Sequence, residues 1–137
     1  MQTLPLLIRL ARQRADARRV ALAEAERQHR ATAERMSAHR AEVAVETARA
    51  TNNPAEMAAW SAWWPHSVQL AQQLAHAQAL MAQREDEIRG ALANDFAEAK
   101  RLELAWEARQ KAQTRHLARQ MEKRAEELEL HRIRTEG

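Results

Sequence analysis

The segment that decides the fold is residues 51–65, which read TNNPAEMAAWSAWWP. It interrupts a chain that has helical composition on both sides. A proline disfavours the helical conformation in the residue before it, so Asn53 and Pro54 predict a helix end followed by a turn. Asn53 then suits the N-cap of a second helix, with Pro54 as its first residue and Glu56 at the reach-back position of a capping box. The segment therefore predicts two helices folded back on each other.

A second proline sets the predicted limits of the elements. Pro65 lacks a backbone donor and would clash with the carbonyl group of Ser61, which predicts a kink or a restart of the second helix. We expect a first helix over about 3–50, a bend over 51–65 and a second helix over about 66–134. These elements would make the chain of 137 residues a single coiled-coil hairpin domain over 1–137.

The composition supports this hairpin. The chain has 2 glycines, 1 phenylalanine and no tyrosine, whereas alanine, glutamate, arginine, glutamine and leucine dominate. That profile is typical of long helices and coiled coils, and aromatic residues at 4% are too few to fill a deep core. The predicted fold class is all-α, an elongated antiparallel two-helix coiled-coil hairpin in which the second helix is the longer.

Seven-residue spacing predicts the face on which each helix packs. On the first helix the seam and its companion positions are Ile8, Ala15, Leu22, His29, Met36 and Val43, with Leu4, Ala11, Arg18, Ala25, Thr32 and His39. On the second helix the predicted seam is Leu70, Leu74, Ala77, Met81, Ile88 and Ala91. Beyond Gly90 it is expected to shift phase, to Leu92, Phe96, Ala99, Leu102, Trp106, Gln113 and Leu117. The end of the second helix, from about Leu104, should overhang the first.

Charge is distributed unevenly along the chain, although the net charge is only +3. Residues 1–20 carry five arginines and one acid, and residues 100–119 carry six basic residues and two acids. Residues 51–97 carry two arginines against five acids. An antiparallel hairpin would bring the two basic stretches together at its open end, which indicates different partners at its two ends. The alternative is a solvated charged face with chance clustering.

No pattern in the chain predicts catalysis. Cysteine is absent, no two of the six histidines lie three or four residues apart, and two glycines cannot form a phosphate-binding loop. A two-helix hairpin also lacks the concave pocket that catalysis usually needs. We therefore expect no enzyme activity, no cofactor and no metal. The N-terminus lacks the apolar core of a signal peptide and no stretch is long enough to span a bilayer, so we expect a cytoplasmic protein without direct membrane insertion.

The tryptophans at the bend have two interpretations. Trp60, Trp63 and Trp64 could pack together and close the tip of the hairpin, or could form an exposed patch, because tryptophan is enriched at binding hot spots. Trp64 lies about 100° around the helix from Trp63. We therefore predict that Trp63 is buried and Trp64 is exposed.

Four stretches resemble the FliJ family of flagellar export proteins. The first is residues 4–10, LPLLIRL, followed by DARR at residues 16–19. The second pairs Trp60 and Trp63 with Leu70 and Leu74, which is similar to the aromatic segment after that family's bend. The closest is KRLELAWEARQ at residues 100–110, and MEKRAEE at residues 121–127 resembles the family's C-terminal pattern. The resemblance covers nearly the whole chain.

This resemblance implies a fold and a set of partners. FliJ-like proteins are antiparallel two-helix coiled coils that resemble the central stalk of a rotary ATPase. Their open end enters the hexameric export ATPase and promotes its assembly and activity, their tip reaches the export-gate membrane protein, and they escort export chaperones. The implied location is the cytoplasm, peripheral at the inner-membrane export apparatus.

The implied contact residues are of two kinds. Candidate ATPase contacts are the basic residues of the open end: Arg9, Arg12, Arg18, Arg19, Lys100, Arg101, Arg109 and Lys111. Candidate export-gate contacts lie after the bend: Trp60, Trp63, Trp64 and Leu70. An equivalent stalk of a virulence type III secretion injectisome fits the same architecture. A coiled-coil scaffold or a nucleic-acid-associated protein is the alternative from another class, although nucleic acid is not expected, because the chain has neither the aromatic interleaving of a nucleic-acid-binding sheet nor a recognised motif.

Overall fold

The fold consists of two long α-helices. A computed structural model describes residues 3–136, in which α1 spans Thr3–Thr51 and α2 spans Pro54–Glu136. The two helices pack against each other, and residues 3–136 contain no strand. The predicted all-α hairpin with a longer second helix is confirmed.

The helices form two compact units. The turn unit is Arg14–Asn94, and the terminal unit comprises the described residues 3–13 and 95–136. In the turn unit, side chains of Thr47, His39 and His29 on α1 meet Trp60, Ser67 and Glu85 on α2. In these three contacts the residue number decreases along α1 as it increases along α2, so the two helices of this unit are antiparallel. The expectation of a single domain over 1–137 stays a prediction.

The turn between the helices is shorter than the sequence suggested. Only Asn52 and Asn53 lie outside the helices, so the predicted bend over 51–65 is wrong for its second part, which forms the first turns of α2. Asn53 is the N-cap. Its Oδ1 accepts a hydrogen bond from the backbone N–H of Ala55 at 3.0 Å, and its carbonyl oxygen accepts one from Met57 at 2.9 Å.

Pro65 lies inside α2 and neither ends nor restarts it. A proline in a helix interior removes one backbone hydrogen bond, here the one that the carbonyl group of Ser61 would accept. The helix tolerates this loss because tertiary packing, rather than local propensity, supplies most of the stability of a helix in a folded protein. Buried Ser67 follows two residues after Pro65 and anchors this part of α2 against α1.

Burial along α1 follows the predicted heptad. Every predicted seam and companion position is buried or half-buried, except Arg18, which is exposed. The same spacing continues to half-buried Glu46 and buried Ala50. The most buried side chains are small: Ala11, Ala15, Ala25 and Ala50. Alanine at these places permits a close approach of the helices but buries little area per residue.

The predicted phase shift of the α2 seam is wrong. Burial keeps one uninterrupted heptad, with two rows of buried or half-buried residues: Ser67, Leu74, Met81, Ile88, Asp95 and Leu102, and Gln78, Glu85, Leu92, Ala99 and Trp106. Leu70 and Phe96, which the spacing predicts in the seam, are exposed. The prediction fails because polar residues occupy several positions of this seam, so apolar spacing alone does not follow it. A Cβ at Gly90 would meet no atom within 4 Å, so packing does not require this glycine.

The end of α2 is exposed throughout. Trp106 is the last half-buried residue, and residues 107–136 are all exposed, as are Gln113 and Leu117, which were expected to extend the seam. The helix nevertheless continues to Glu136. The predicted overhang therefore begins just after Trp106, within the terminal unit.

Candidate interaction surfaces

His39 and Ser67 form a buried polar layer in the turn unit. They are 7% and 2% exposed. The Nε2 of His39 lies 3.0 Å from the carbonyl oxygen of Ser67, which can only accept, so Nε2 carries the hydrogen and donates it. The hydroxyl group of Ser67 lies 3.3 Å from the same nitrogen. Nδ1 of His39 has no hydrogen-bond partner among the described residues. His39, predicted as a seam residue, is thus a polar contact between the helices.

A second polar layer is charged. Nδ1 of His29 donates to Oε2 of Glu85 at 2.6 Å, and Nη2 of Arg89 donates to Oε1 of Glu85 at 2.7 Å. Arg89 also lies 3.6 Å from Glu26 on α1. The hydrogen bonds from Arg89 and then from His29 hold the pKa of Glu85 below its ordinary value, and the pKa of Arg89 is raised by its hydrogen bond to Glu85. This layer joins the two helices by charge rather than by apolar contact.

Two of the bend tryptophans stack on each other. The ring centroids of Trp60 and Trp64 lie 4.8 Å apart with an interplanar angle of 24°. Nε1 of Trp60 donates to the hydroxyl group of Thr47 on α1 at 3.2 Å, which fixes the inner ring of the stack. Trp64 remains 39% exposed, as predicted. A stacked pair of this kind is worth about 0.5–1.5 kcal/mol beyond its area burial, so Trp64 both packs and faces solvent.

An apolar groove of about 460 Å³ lies beside this stack, between α1 and α2 of the turn unit. Its side chains include Met36, His39, Val43, Trp64, Val68, Ala71 and Leu74. Two small residues, Ala71 and Ala75, lie on its α2 side. We call it the turn-side groove. Sequence reasoning singled out Trp64 but missed the rest of the lining, whose one signal was a small residue between Ser67 and Leu74.

The other predicted gate contacts lie apart from this groove. Trp63 is half-buried rather than buried, and lines a different cavity with Glu42, Glu46 and Trp60. Leu70 is exposed and does not line the turn-side groove. The structure thus places Trp64 at the turn-side groove and Trp60 and Trp63 at a second cavity, whereas Leu70 lines neither.

Most of the predicted basic contacts lie in the terminal unit and are exposed: Arg9, Arg12, Lys100, Arg101, Arg109 and Lys111. Arg12 is engaged, because its Nε and Nη2 donate to Oε1 of Glu103 at 2.9 and 2.7 Å. This ion pair joins α1 to α2 in the terminal unit. The guanidinium group of Arg12 is therefore already bound to a carboxylate within the chain.

The two remaining basic candidates, Arg18 and Arg19, lie in the turn unit, where both are exposed. Arg19 lies 3.5 Å from Asp16. The turn unit as a whole has equal numbers of basic and acidic residues, so the net charge of +3 belongs to the terminal unit. The excess of basic over acidic residues that was predicted for the open end therefore lies in the terminal unit.

The described residues hold no group of histidine and carboxylate side chains that could bind a metal ion. None of the helices in residues 3–136 combines the length and the apolarity needed to cross a bilayer. Comparisons with family models, with curated proteins and with solved structures find no match.

Proposed function

We propose that this chain is a non-enzymatic central-stalk component of the flagellar type III protein export apparatus. Its terminal unit inserts into the export ATPase hexamer and promotes the assembly and activity of that hexamer. Its turn unit links the ATPase to the export-gate membrane protein, and the chain also engages export chaperones. The protein acts in the cytoplasm, peripheral at the inner-membrane export apparatus.

The observation that carries the proposal is the end of α2. Residues 107–136 are helical and exposed, and they extend an antiparallel helix pair in the unit that holds the net positive charge. A solvated helix of this length exposes much surface without burying its own, which fits a segment that inserts into another protein. Long-range attraction would draw such a cationic helix into an acidic channel.

The turn-side groove supports the other half of the proposal. It offers an apolar surface beside Trp64, with Arg40 also on its lining. Tryptophan next to a pocket is a common anchor of protein interfaces. We place this groove and Trp64 at the centre of the gate contact, and Trp60, Trp63 and Leu70 stay candidates for its periphery.

The test is stimulation of the purified export ATPase by the whole chain and by charge-reversal variants. Arg9→Glu combined with Arg109→Glu should abolish most of the stimulation, because both side chains are exposed and make no ion pair among residues 3–136. Arg30→Glu combined with Arg35→Glu changes the charge equally in the turn unit and should stimulate like the wild type. Helicity measured by circular dichroism should be the same for all three proteins.

Two outcomes would contradict the proposal. Stimulation that survives the Arg9 and Arg109 reversals would remove the basic terminal unit as the ATPase contact. A wild-type chain that stimulates no export ATPase but binds nucleic acid in a strongly salt-dependent manner would favour the nucleic-acid-associated alternative. Stimulation of an injectisome ATPase instead of a flagellar one would assign the chain to that system.

A further inference from the structure

One face of the overhanging helix separates positive from negative charge. Along residues 104–133, steps of three and four residues lead through Leu104, Ala108, Lys111, Arg115, Arg119, Glu122, Glu126, Glu129 and Ile133. Such steps keep side chains on a single helical face. All nine residues are exposed, and we call this face the charge ridge. Its first charged half is entirely basic and its second is entirely acidic.

The like charges within each half of the ridge repel one another. Lys111 and Arg115, Arg115 and Arg119, and Glu122 and Glu126 are like charges four residues apart, and each such pair destabilises a helix by about 0.2–0.5 kcal/mol. Among residues 3–136 the structure pairs just one ridge charge, Glu129, which lies 2.8 Å from Arg132.

Two copies of the ridge that lie antiparallel have complementary charges, because the basic half of each copy then faces the acidic half of the other. If a second copy of this helix lies antiparallel, about a two-fold axis between Arg119 and Glu122, then Arg119 of one copy faces Glu122 of the other. Arg115 then faces Glu126, and Lys111 comes within one residue of Glu129. Ala108 faces Ile133 at each end. A two-fold interface requires a surface of this self-complementary kind.

We propose that the charge ridge is a self-association surface, through which two copies of this chain pair antiparallel along residues 104–133. The charged part, from Lys111 to Glu129, is about 27 Å long at the helical rise. The two halves form at most six exposed ion pairs, which contribute only about 0–1 kcal/mol each, so we expect a weak, reversible dimer with a dissociation constant of about 100 µM or weaker. The pairing does not depend on the proposed stalk function, and its test contains no ATPase.

The dimer should weaken with salt. Screening shortens the reach of exposed charges from about 14 Å at 50 mM salt to about 4 Å at 500 mM salt. Sedimentation velocity of the full chain should therefore detect dimers at the lower salt concentration and mainly monomers at the higher. An interface formed by apolar residues would keep or gain strength as salt rises.

Charge-reversal variants test the ridge itself. Arg115→Glu with Arg119→Glu makes the ridge mainly acidic, and Glu122→Arg with Glu126→Arg makes it entirely basic over the same length apart from Glu129. Each variant alone should self-associate at least about tenfold more weakly than the wild type. An equimolar mixture of the two should form a heterodimer, because one acidic ridge then faces one basic ridge.

The control is Arg124→Glu with Arg134→Glu, which changes the net charge as much as the first variant but lies off the ridge. It should dimerise like the wild type, and circular dichroism should find each variant helical. A wild-type chain that stays monomeric at about 500 µM and low salt would overturn the proposal. Dimers that survive both reversals, or a mixture that forms no heterodimer, would overturn it equally.

Discussion

At the scale of single residues, polar side chains specify how the two helices align in the turn unit. His39 contacts Ser67, and His29 contacts Glu85, at positions where an apolar heptad would tolerate a shift of one repeat. A polar residue in a coiled-coil seam loses its partner if the register moves, and the unpaired group then costs about 1–3 kcal/mol. These layers therefore disfavour other registers, although they add little to burial.

Glu85 makes the stability of the turn unit depend on pH. Hydrogen bonds from Arg89 and His29 lower its pKa from the ordinary value of 4.5. A carboxyl group whose pKa is lowered by folding stabilises the fold above its unfolded-state pKa, and this stabilisation is lost as the pH falls through the lowered value. Glu85→Gln should therefore unfold at lower urea concentration than the wild type at pH 7, and the difference should shrink towards pH 3.

The measurement is urea unfolding followed by far-ultraviolet circular dichroism at several pH values. Glu34→Gln is the matched control, because Glu34 is exposed and has no ion-pair partner among the described residues. Its unfolding midpoint should follow the wild type at every pH. A Glu85→Gln midpoint that differs from the wild type equally at pH 7 and pH 3 would contradict a role for the ionised carboxylate.

At the scale of elements, α2 begins at a cap made by one side chain. The Oδ1 of Asn53 satisfies the backbone N–H of Ala55. Asn53→Ala should lower the free energy of unfolding by about 1 kcal/mol, the usual cost of losing an N-cap, whereas Asn53→Ser should retain most of it. Asn52→Ala removes an equal side chain one residue earlier and should have little effect. Equal costs for Asn52→Ala and Asn53→Ala in urea unfolding would contradict the assigned cap.

The sequence predicts the turn and the α1 seam better than the α2 seam. Asn53 and Pro54 have strong local preferences, and the α1 heptad contains enough apolar residues to be seen. On α2, polar Ser67, Gln78, Glu85 and Asp95 hold seam positions, while apolar Leu70 and Phe96 face solvent. A polar residue is stable in such a seam because it has a partner on the other helix. The pattern of a single helix does not identify that partner.

The candidate surfaces, too, were predictable only where one helix alone determines them. Exposure of Trp64 and of Arg109 could be predicted from the spacing and charge of α2 alone. The engagement of Arg12 by Glu103 could not, because these residues are 91 positions apart and meet only through tertiary packing. The turn-side groove likewise depends on what α1 places opposite Ala71.

At the scale of the whole molecule, protection from hydrogen exchange should differ along α2. Residues 107–136 are all exposed, and exposed helices open with little free-energy cost. We expect them to exchange well before the amides of residues 54–94 when the chain is dilute. Hydrogen–deuterium exchange read by mass spectrometry measures this. Equal protection of the two stretches in dilute chain would contradict the assignment of residues 107–136 as an unsupported helix.

The two-residue turn also sets the order in which the chain folds. The side-chain contacts between the helices span 13 residues at Thr47 and Trp60, 28 at His39 and Ser67, 56 at His29 and Glu85, and 91 at Arg12 and Glu103. Closing a loop costs more entropy as it lengthens, unless an earlier contact has already shortened it. The folding nucleus should therefore form around Asn53, and the contacts between the helices should then form in order of increasing distance from this turn. The contact of Arg12 with Glu103 should be the last of the four to form and the first to open.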